Sequence, residues 1–338
     1  MNFSTRRTNN SDHLALALPM CGAIVWDAVS AGDNAAGSVW RTAITLADIP
    51  EQHIIVPSFA CLTPSYQYQW ILRSETPAQT CALTPVTPAG IEPWQGFVSP
   101  TPNAKHMLSK IDCWHTAVDC ADVQAELVLY LPRASTPPAN DLLTLSIRPI
   151  DRDARTIALP TKAVTLEPPC PVSQMLARPE IAKRICSPTA TAMAVGGADA
   201  PALWPDAITG CLDPNTKAYG KWPLAIYWAS QQQRLGAVEA VFDWAEIETV
   251  LRCGAPIVCS IRFAEGALPG APLMQSAGHL VVLYGIEFEQ NEGFALVMDP
   301  AGNSAADVAK RYPLQAFSDA WISHRGGAYF FESGARHP

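Results

Sequence analysis

HLVVLYGIEFEQNEGFALVMDP, residues 279–300, decides how the second half of the chain folds. Two apolar runs, HLVVLYGIEF and FALVMDP, flank EQNEG, a polar stretch ending in Gly293 that suits a hairpin turn. Folding the chain about residues 290–293 sets Asp299 roughly opposite Val281, two residues along from His279. Side chains two apart on a strand share a face, and such diagonal neighbours lie about 7–8 Å apart at the backbone. The pairing therefore predicts that an imidazole at the start of one strand meets a carboxylate at the end of the next. A slip of one residue would break the pairing, and the sequence does not pin the register.

A third β-like run, APIVCSIRF (residues 255–263), comes just before. Upstream of it the rhythm is helical. In DWAEIETVLRCG (residues 243–254), Asp243 is an N-cap with Glu246 three residues on, and Gly254 is a stop. Ile247, Val250 and Leu251 share one helical face. In CSPTATAMAVGG (residues 186–197), Pro188 fits a first helical turn and the paired glycines close it. Helices followed by an antiparallel sheet form an α+β pattern.

The first half has another period. YQYQWILR alternates Tyr66, Tyr68, Trp70 and Leu72 against Gln67, Gln69, Ile71 and Arg73. DVQAELVLYL puts Val123, Ala125, Leu127, Leu129 and Leu131 on one face, and LLTLSIR does the same with Leu143, Leu145 and Ile147. Period-two runs between proline-rich turns such as STPPAND indicate an all-β antiparallel sandwich. Residues 159–174, LPTKAVTLEPPCPVSQ, lack a clear period and read as a linker. The expected division is a β-sandwich over residues 1–162 and an α+β domain over residues 163–338.

Composition narrows the classes of function. Hydrophobic residues make up 49% of the 338, so both halves can bury a core. A net charge of −8 argues against nucleic acid or an anionic membrane as the main partner. No apolar run approaches the ~18 residues of a membrane span. Arg6 and Arg7 precede a mildly apolar stretch, residues 14–26, but Asp12, His13, Pro19 and Cys21 spoil it as a signal sequence. It reads instead as a first strand or arm, which favours a cytoplasmic location. The ten cysteines are scattered and include no CxxC pair. CWHTAVDC supplies Cys113, His115 and Cys120, three ligand types without a second cluster, so scattered β-domain side chains are the expected reading. No metal or organic cofactor is implied.

Chemistry concentrates in the second half. A carboxylate beside a histidine orients the ring and stabilises the imidazolium. An imidazolium in turn stabilises a thiolate, and Cys186 at a helix start gains from the helix dipole as well. A thiolate so activated attacks carbonyl carbon and forms an acyl-enzyme. Its oxyanion needs donors, for which the Cys186 backbone N–H and the Gln174 amide are candidates. Taken singly, each residue has a structural explanation; the set and its order carry the weight. Tyr219, Trp222 and Trp228, and Tyr312, Phe317 and Trp321, are aromatics at spacings that usually serve the core. Trp222, between Gly220 and Pro223 in an expected loop, is the one placed toward the site, with Tyr219 and Ser187 as further candidate cleft residues.

SQM…ICSPTATAMAV, YGKWP, AGHLVVLYGIEF and MDPAGN…RYPLQAFSDAW resemble the papain-like cysteine peptidases related to the bacteriocin double-glycine leader peptidases, over about residues 170–325. The first half resembles the β-sandwich that precedes this domain in some stand-alone bacterial members. The resemblance implies a nucleophile at Cys186, its base at His279, an orienting acid at Asp299 and an oxyanion donor at Gln174. The leader peptidases usually carry glycine after the cysteine, where this chain has Ser187, and the interval from Gln174 to Cys186 is wider than in papain-type enzymes. The expected activity is a cysteine peptidase or amide hydrolase acting on a peptide or protein, with a glycan or protein ligand for the sandwich. Residue order leaves open acyl transfer of the transglutaminase kind, cell-wall amide cleavage, and an inert peptidase-like binding protein.

Overall fold

The computed structural model describes residues 4–9, 21–29, 37–102, 105–110, 112–132, 136–150, 157–324 and 326–333. Most of the N-terminal stretch weighed above as a signal sequence, residues 10–20, lies outside them. The chain divides into two compact units near residue 151. No helix among the described residues is long and apolar enough to cross a membrane.

Among the described residues the first unit has ten strands: β1 (Ser4–Asn9), β2 (Asp27–Val29), β3 (Gly37–Thr45), β4 (His53–Cys61), β5 (Gln67–Glu75), β6 (Ala78–Ala82), β7 (Met107–Lys110), β8 (Cys113–Thr116), β9 (Gln124–Pro132) and β10 (Asp141–Pro149). They form two five-stranded sheets, ordered β1-β10-β4-β8-β7 and β2-β3-β9-β5-β6. Phe59 on β4 meets Tyr68 on β5 edge to face at 5.3 Å, so rings from the two sheets share one core.

Simple alternation fails on β5, where both faces are buried. The glutamines do not face water. Gln67 accepts from the Trp94 amide at 2.9 Å and Gln69 from the Val98 amide at 3.0 Å, so they bind a covering loop. Trp94 in that loop stacks on Tyr130 at 5.4 Å.

The second unit opens with a short strand, β11 (Val164–Thr165), inside the stretch whose lack of period suggests a linker. Gly285 explains how it fits: a Cβ there would stand 2.9 Å from the Val164 carbonyl oxygen. Helices follow as α1 (Pro179–Ala182), α2 (Cys186–Gly196), α3 (Ala200–Gly210) and α4 (Trp222–Gln231). Then come β12 (Gly236–Ala240), α5 (Trp244–Arg252), β13 (Ile257–Phe263), β14 (Ser276–Glu289), β15 (Glu292–Met298), β16 (Ala309–Pro313), α6 (Leu314–Trp321) and β17 (Gly327–Phe331). The sheet runs β12-β17-β13-β14-β15-β16, with β11 against β14. Asp243 caps α5 by accepting from the Ala245 amide at 2.9 Å. Gly197, at φ 54°, closes α2, and α2 packs on β14.

The β14–β15 hairpin turns at Gln290 and Asn291, both at positive φ (49° and 71°), which is the two-residue turn that matches strand twist. Gly293 is therefore not in the turn; it pairs with Phe288. A register shift between Leu283 and Gly285 then brings Met298 opposite Val282, so the chain reaches Asp299 level with Val281.

Candidate active site

Three segments converge at one end of the second unit. β14 carries His279, which pairs across β13 with Ile261. The chain leaving β15 carries Asp299, whose backbone amide donates to the Val308 carbonyl at 2.7 Å. His279 and Asp299 are buried, at 4% and 1% exposure, and Nε2 of the imidazole lies 2.7 Å from Oδ1 of the carboxylate. The Ala301 amide donates to the same oxygen at 2.9 Å, and the Tyr312 hydroxyl donates to Oδ2 at 2.7 Å. The carboxylate is thus fixed on both oxygens.

The first residue of α2 is Cys186, partly exposed, and the His279 imidazole acts on its thiol. With Nε2 committed to Asp299, Nδ1 is the ring nitrogen left to act on the thiol. Burial alone would raise the Cys186 thiol, but the hydrogen bond and charge of His279, with the Leu280 and Ser187 amides, lower it below the ordinary thiol value. Burial pulls the His279 imidazole down, but Asp299 and then Cys186 push it up to about 10. Burial would raise the Asp299 carboxyl; His279, Tyr312 and the Ala301 amide outweigh it and hold it below the ordinary range. All three shifts favour a thiolate–imidazolium–carboxylate chain. Elsewhere burial wins: it pushes the thiols of Cys61 and Cys81 up to about 12 and about 11, and those of Cys120, Cys211 and Cys259 upward as well. Cys113 is buried with its thiol on the Lys110 carbonyl, and no metal-binding group of His, Cys, Asp or Glu occurs among the described residues.

Gln174 lies in the segment that precedes α1. Its backbone amide donates to the Pro300 carbonyl at 2.9 Å, and the Ser173 hydroxyl donates to the Gly302 carbonyl, so this segment is stitched to the loop behind Asp299. Nε2 of its side chain donates to the Ala182 carbonyl at 2.8 Å, and the buried Oε1 has no partner.

The candidate cleft residues divide. Ser187 is fully buried with its hydroxyl 3.4 Å from that of Tyr329, so its side chain faces the core and not a cleft. Trp222 is half-buried and opens α4; Pro223 at the second position extends that helix to a residue expected in a loop. Tyr219 is half-buried in the loop before it. Trp228, Phe317 and Trp321 are core. Tyr312 is core too, but its hydroxyl reaches Asp299, a role that aromatic spacing does not signal.

Residues 170–329 match the model of the Peptidase_C39 like family. The match covers the convergent segments just described and supports a relationship to the C39-type cysteine peptidases. No curated protein matches the chain.

Proposed function

We propose that residues 163–338 form a papain-like cysteine peptidase domain that hydrolyses a peptide or related amide, and that residues 1–162 form a β-sandwich that binds or positions a partner. The observation that carries this reading is the buried His279–Asp299 pair, hydrogen-bonded at 2.7 Å, whose imidazole lowers the Cys186 thiol toward thiolate.

In this mechanism the Cys186 thiolate attacks the scissile carbonyl carbon and the oxygen takes the negative charge. The N–H of Cys186 and the second N–H of the Gln174 amide, beyond the one spent on Ala182, supply the oxyanion donors. The tetrahedral species collapses, the C–N bond breaks, and His279 passes its Nδ1 proton to the leaving amine. Water then gives a proton to His279 while its oxygen attacks the thioester, releasing the acid and restoring the thiolate. Asp299 stays ionised throughout and holds the ring through Nε2, while Tyr312 and Ala301 hold Asp299.

Iodoacetamide at pH 6, with each cysteine followed by mass spectrometry, tests the proposal. Cys186 should alkylate faster than the other nine, and Cys186→Ala should abolish amide hydrolysis. Equal alkylation rates together with intact hydrolysis in the variant would overturn it. Peptides, amine acceptors and peptidoglycan fragments assayed side by side separate hydrolysis from acyl transfer and from cell-wall cleavage.

A further inference from the structure

The chain as a whole is acidic, with 23 Lys and Arg against 31 Asp and Glu. Two segments, the one that leads into Cys186 and the loop that Arg184 bonds, are not. The approach to the nucleophile, residues 178–184, carries Arg178, Lys183 and Arg184 against Glu180, and the loop at residues 213–221 carries Lys217 and Lys221 against Asp213.

That loop is locked. Asp213 is buried at its centre, accepts from the Asn215 amide at 3.0 Å and from the Thr216 hydroxyl, and pairs with Lys221. The Ala218 carbonyl accepts from the Asp213 amide at 2.9 Å, and the Asp213 carbonyl from the Lys217 amide at 2.9 Å. Lys217, at φ 55°, presents its own carbonyl to Arg184, whose Nη2 donates to it at 2.5 Å. The Arg184 guanidinium also lies 5.8 Å from the centre of the Tyr219 ring. Its charge is therefore held between the loop and the nucleophile segment. The one carboxylate of the loop is already spent on Lys221. Among the described residues, Lys183, Arg184 and Lys217 are exposed and have no ion pair.

We infer that the substrate carries a negative charge close to its scissile bond, received by a cationic rim that Arg184 and the 213–221 loop build beside Cys186. The inference rests on the peptidase reading above and adds the charge of the substrate to it. Two residues of chain keep the Arg184 and Cys186 backbones within ~7 Å, and the magnitude below is worked for a guanidinium on the order of 10 Å from a reagent at the sulfur. At that separation in water a unit charge changes a rate by about twofold, provided the salt is near 10 mM and the screening length near 30 Å.

The test compares two thiol reagents of opposite charge, sulfonatoethyl and trimethylammonioethyl methanethiosulfonate, with labelling of Cys186 read by mass spectrometry. His279 contributes to the anion-to-cation rate ratio in every variant, so the change between variants is the readout. The ratio should fall about fourfold in Arg184→Gln, by roughly the square of that in Arg184→Glu, and hardly at all in Arg184→Lys; about 1 M salt should erase the differences. An unchanged ratio in both Gln and Glu variants would overturn the inference. Peptide aldehydes ending in an aspartyl or a lysyl residue extend the test: the aspartyl aldehyde should inhibit wild type more strongly, and equal or reversed potency counts against the rim. If Cys186 reacts slowly with both reagents at pH 6 while the ratio at pH 9.5 still follows Arg184, the thiolate reading fails and the rim stands.

Discussion

His279→Gln removes the cation beside Cys186 while keeping side-chain volume and an amide N–H for Asp299. Without the imidazole, burial is the dominant influence on the sulfur, as it is at Cys81, whose thiol is pushed up to about 11. Cys186 starts below the ordinary thiol value, so the substitution moves its thiol upward, toward the range that burial alone sets. For a thiol that starts above pH 7, each two units of such a rise remove about 99% of the thiolate present at pH 7, a loss of about a hundredfold. The remaining thiolate is more basic and a better nucleophile, with a Brønsted slope of about 0.4–0.5, which returns a factor of about eight. The net expectation is a fall of at least about tenfold in the alkylation rate of Cys186 by iodoacetamide at pH 7. The pH–rate curve, resolved by residue, should shift its inflection upward. A fall of less than threefold with an unmoved inflection would refute the ion-pair reasoning, provided circular dichroism shows the variant folded.

Tyr312→Phe keeps the ring that stacks on Phe317 at 6.1 Å and deletes one hydrogen bond to a buried carboxylate. It should cost about 1.5–3 kcal/mol in the urea unfolding of the second unit, the range for hydrogen bonds to charged groups. Asp299→Asn removes the anchor of the imidazolium, so the Cys186 inflection should rise and the acid limb of stability should flatten. The sign follows from the wild type: a depressed carboxyl adds stability above its unfolded value near 3.9, and this is lost as pH falls through the folded value. His279 works in the opposite sense. Raised to about 10, it adds stability fully present below about 6.5 and lost as pH rises toward 10, which urea midpoints between pH 6 and 10 should record. Gln174→Ala should lower the turnover number about 10²–10³-fold with little effect on alkylation, since it removes an oxyanion donor and leaves the thiolate alone.

How much of this was legible beforehand depends on where each side chain gets its position. The meeting of His279 and Asp299 follows from one hairpin, and hairpins advertise themselves in sequence: two apolar runs with polar residues between. Yet the register has a cause the pattern hides. Pairing counted from Glu289 and Glu292 at the turn reaches Asp299 in the right place only through the shift near Tyr284, where the spare residue carries no mark of its own. Cys186 is legible through α2, because Pro188 and the paired glycines bracket that helix. Ser187 is not, since a serine beside a nucleophile reads alike whether it faces a cleft or, as here, Tyr329.

The residues that escape sequence reasoning share a physical feature: an amphipathic side chain whose apolar part sets its spacing and whose polar tip does the work. Tyr312 sits at a core position of β16 and looks like Phe317 to any hydrophobic pattern, while its hydroxyl fixes Asp299. Gln67 and Gln69 occupy what alternation assigns to solvent, and their amides hold a loop that period-two reasoning has no means to place. Gln174, which the sequence does offer as a candidate, depends on the Pro300 carbonyl, more than a hundred residues away, for its location. Arg184 is the extreme case: nothing local distinguishes it from Lys183, and only the Lys217 carbonyl and the Tyr219 ring turn it from a solvated cation into a fixed one. Periodicity reports where apolar surface goes. Polar tips are placed by partners remote in the chain, and in the proposed mechanism those tips decide which proton moves and which charge is received.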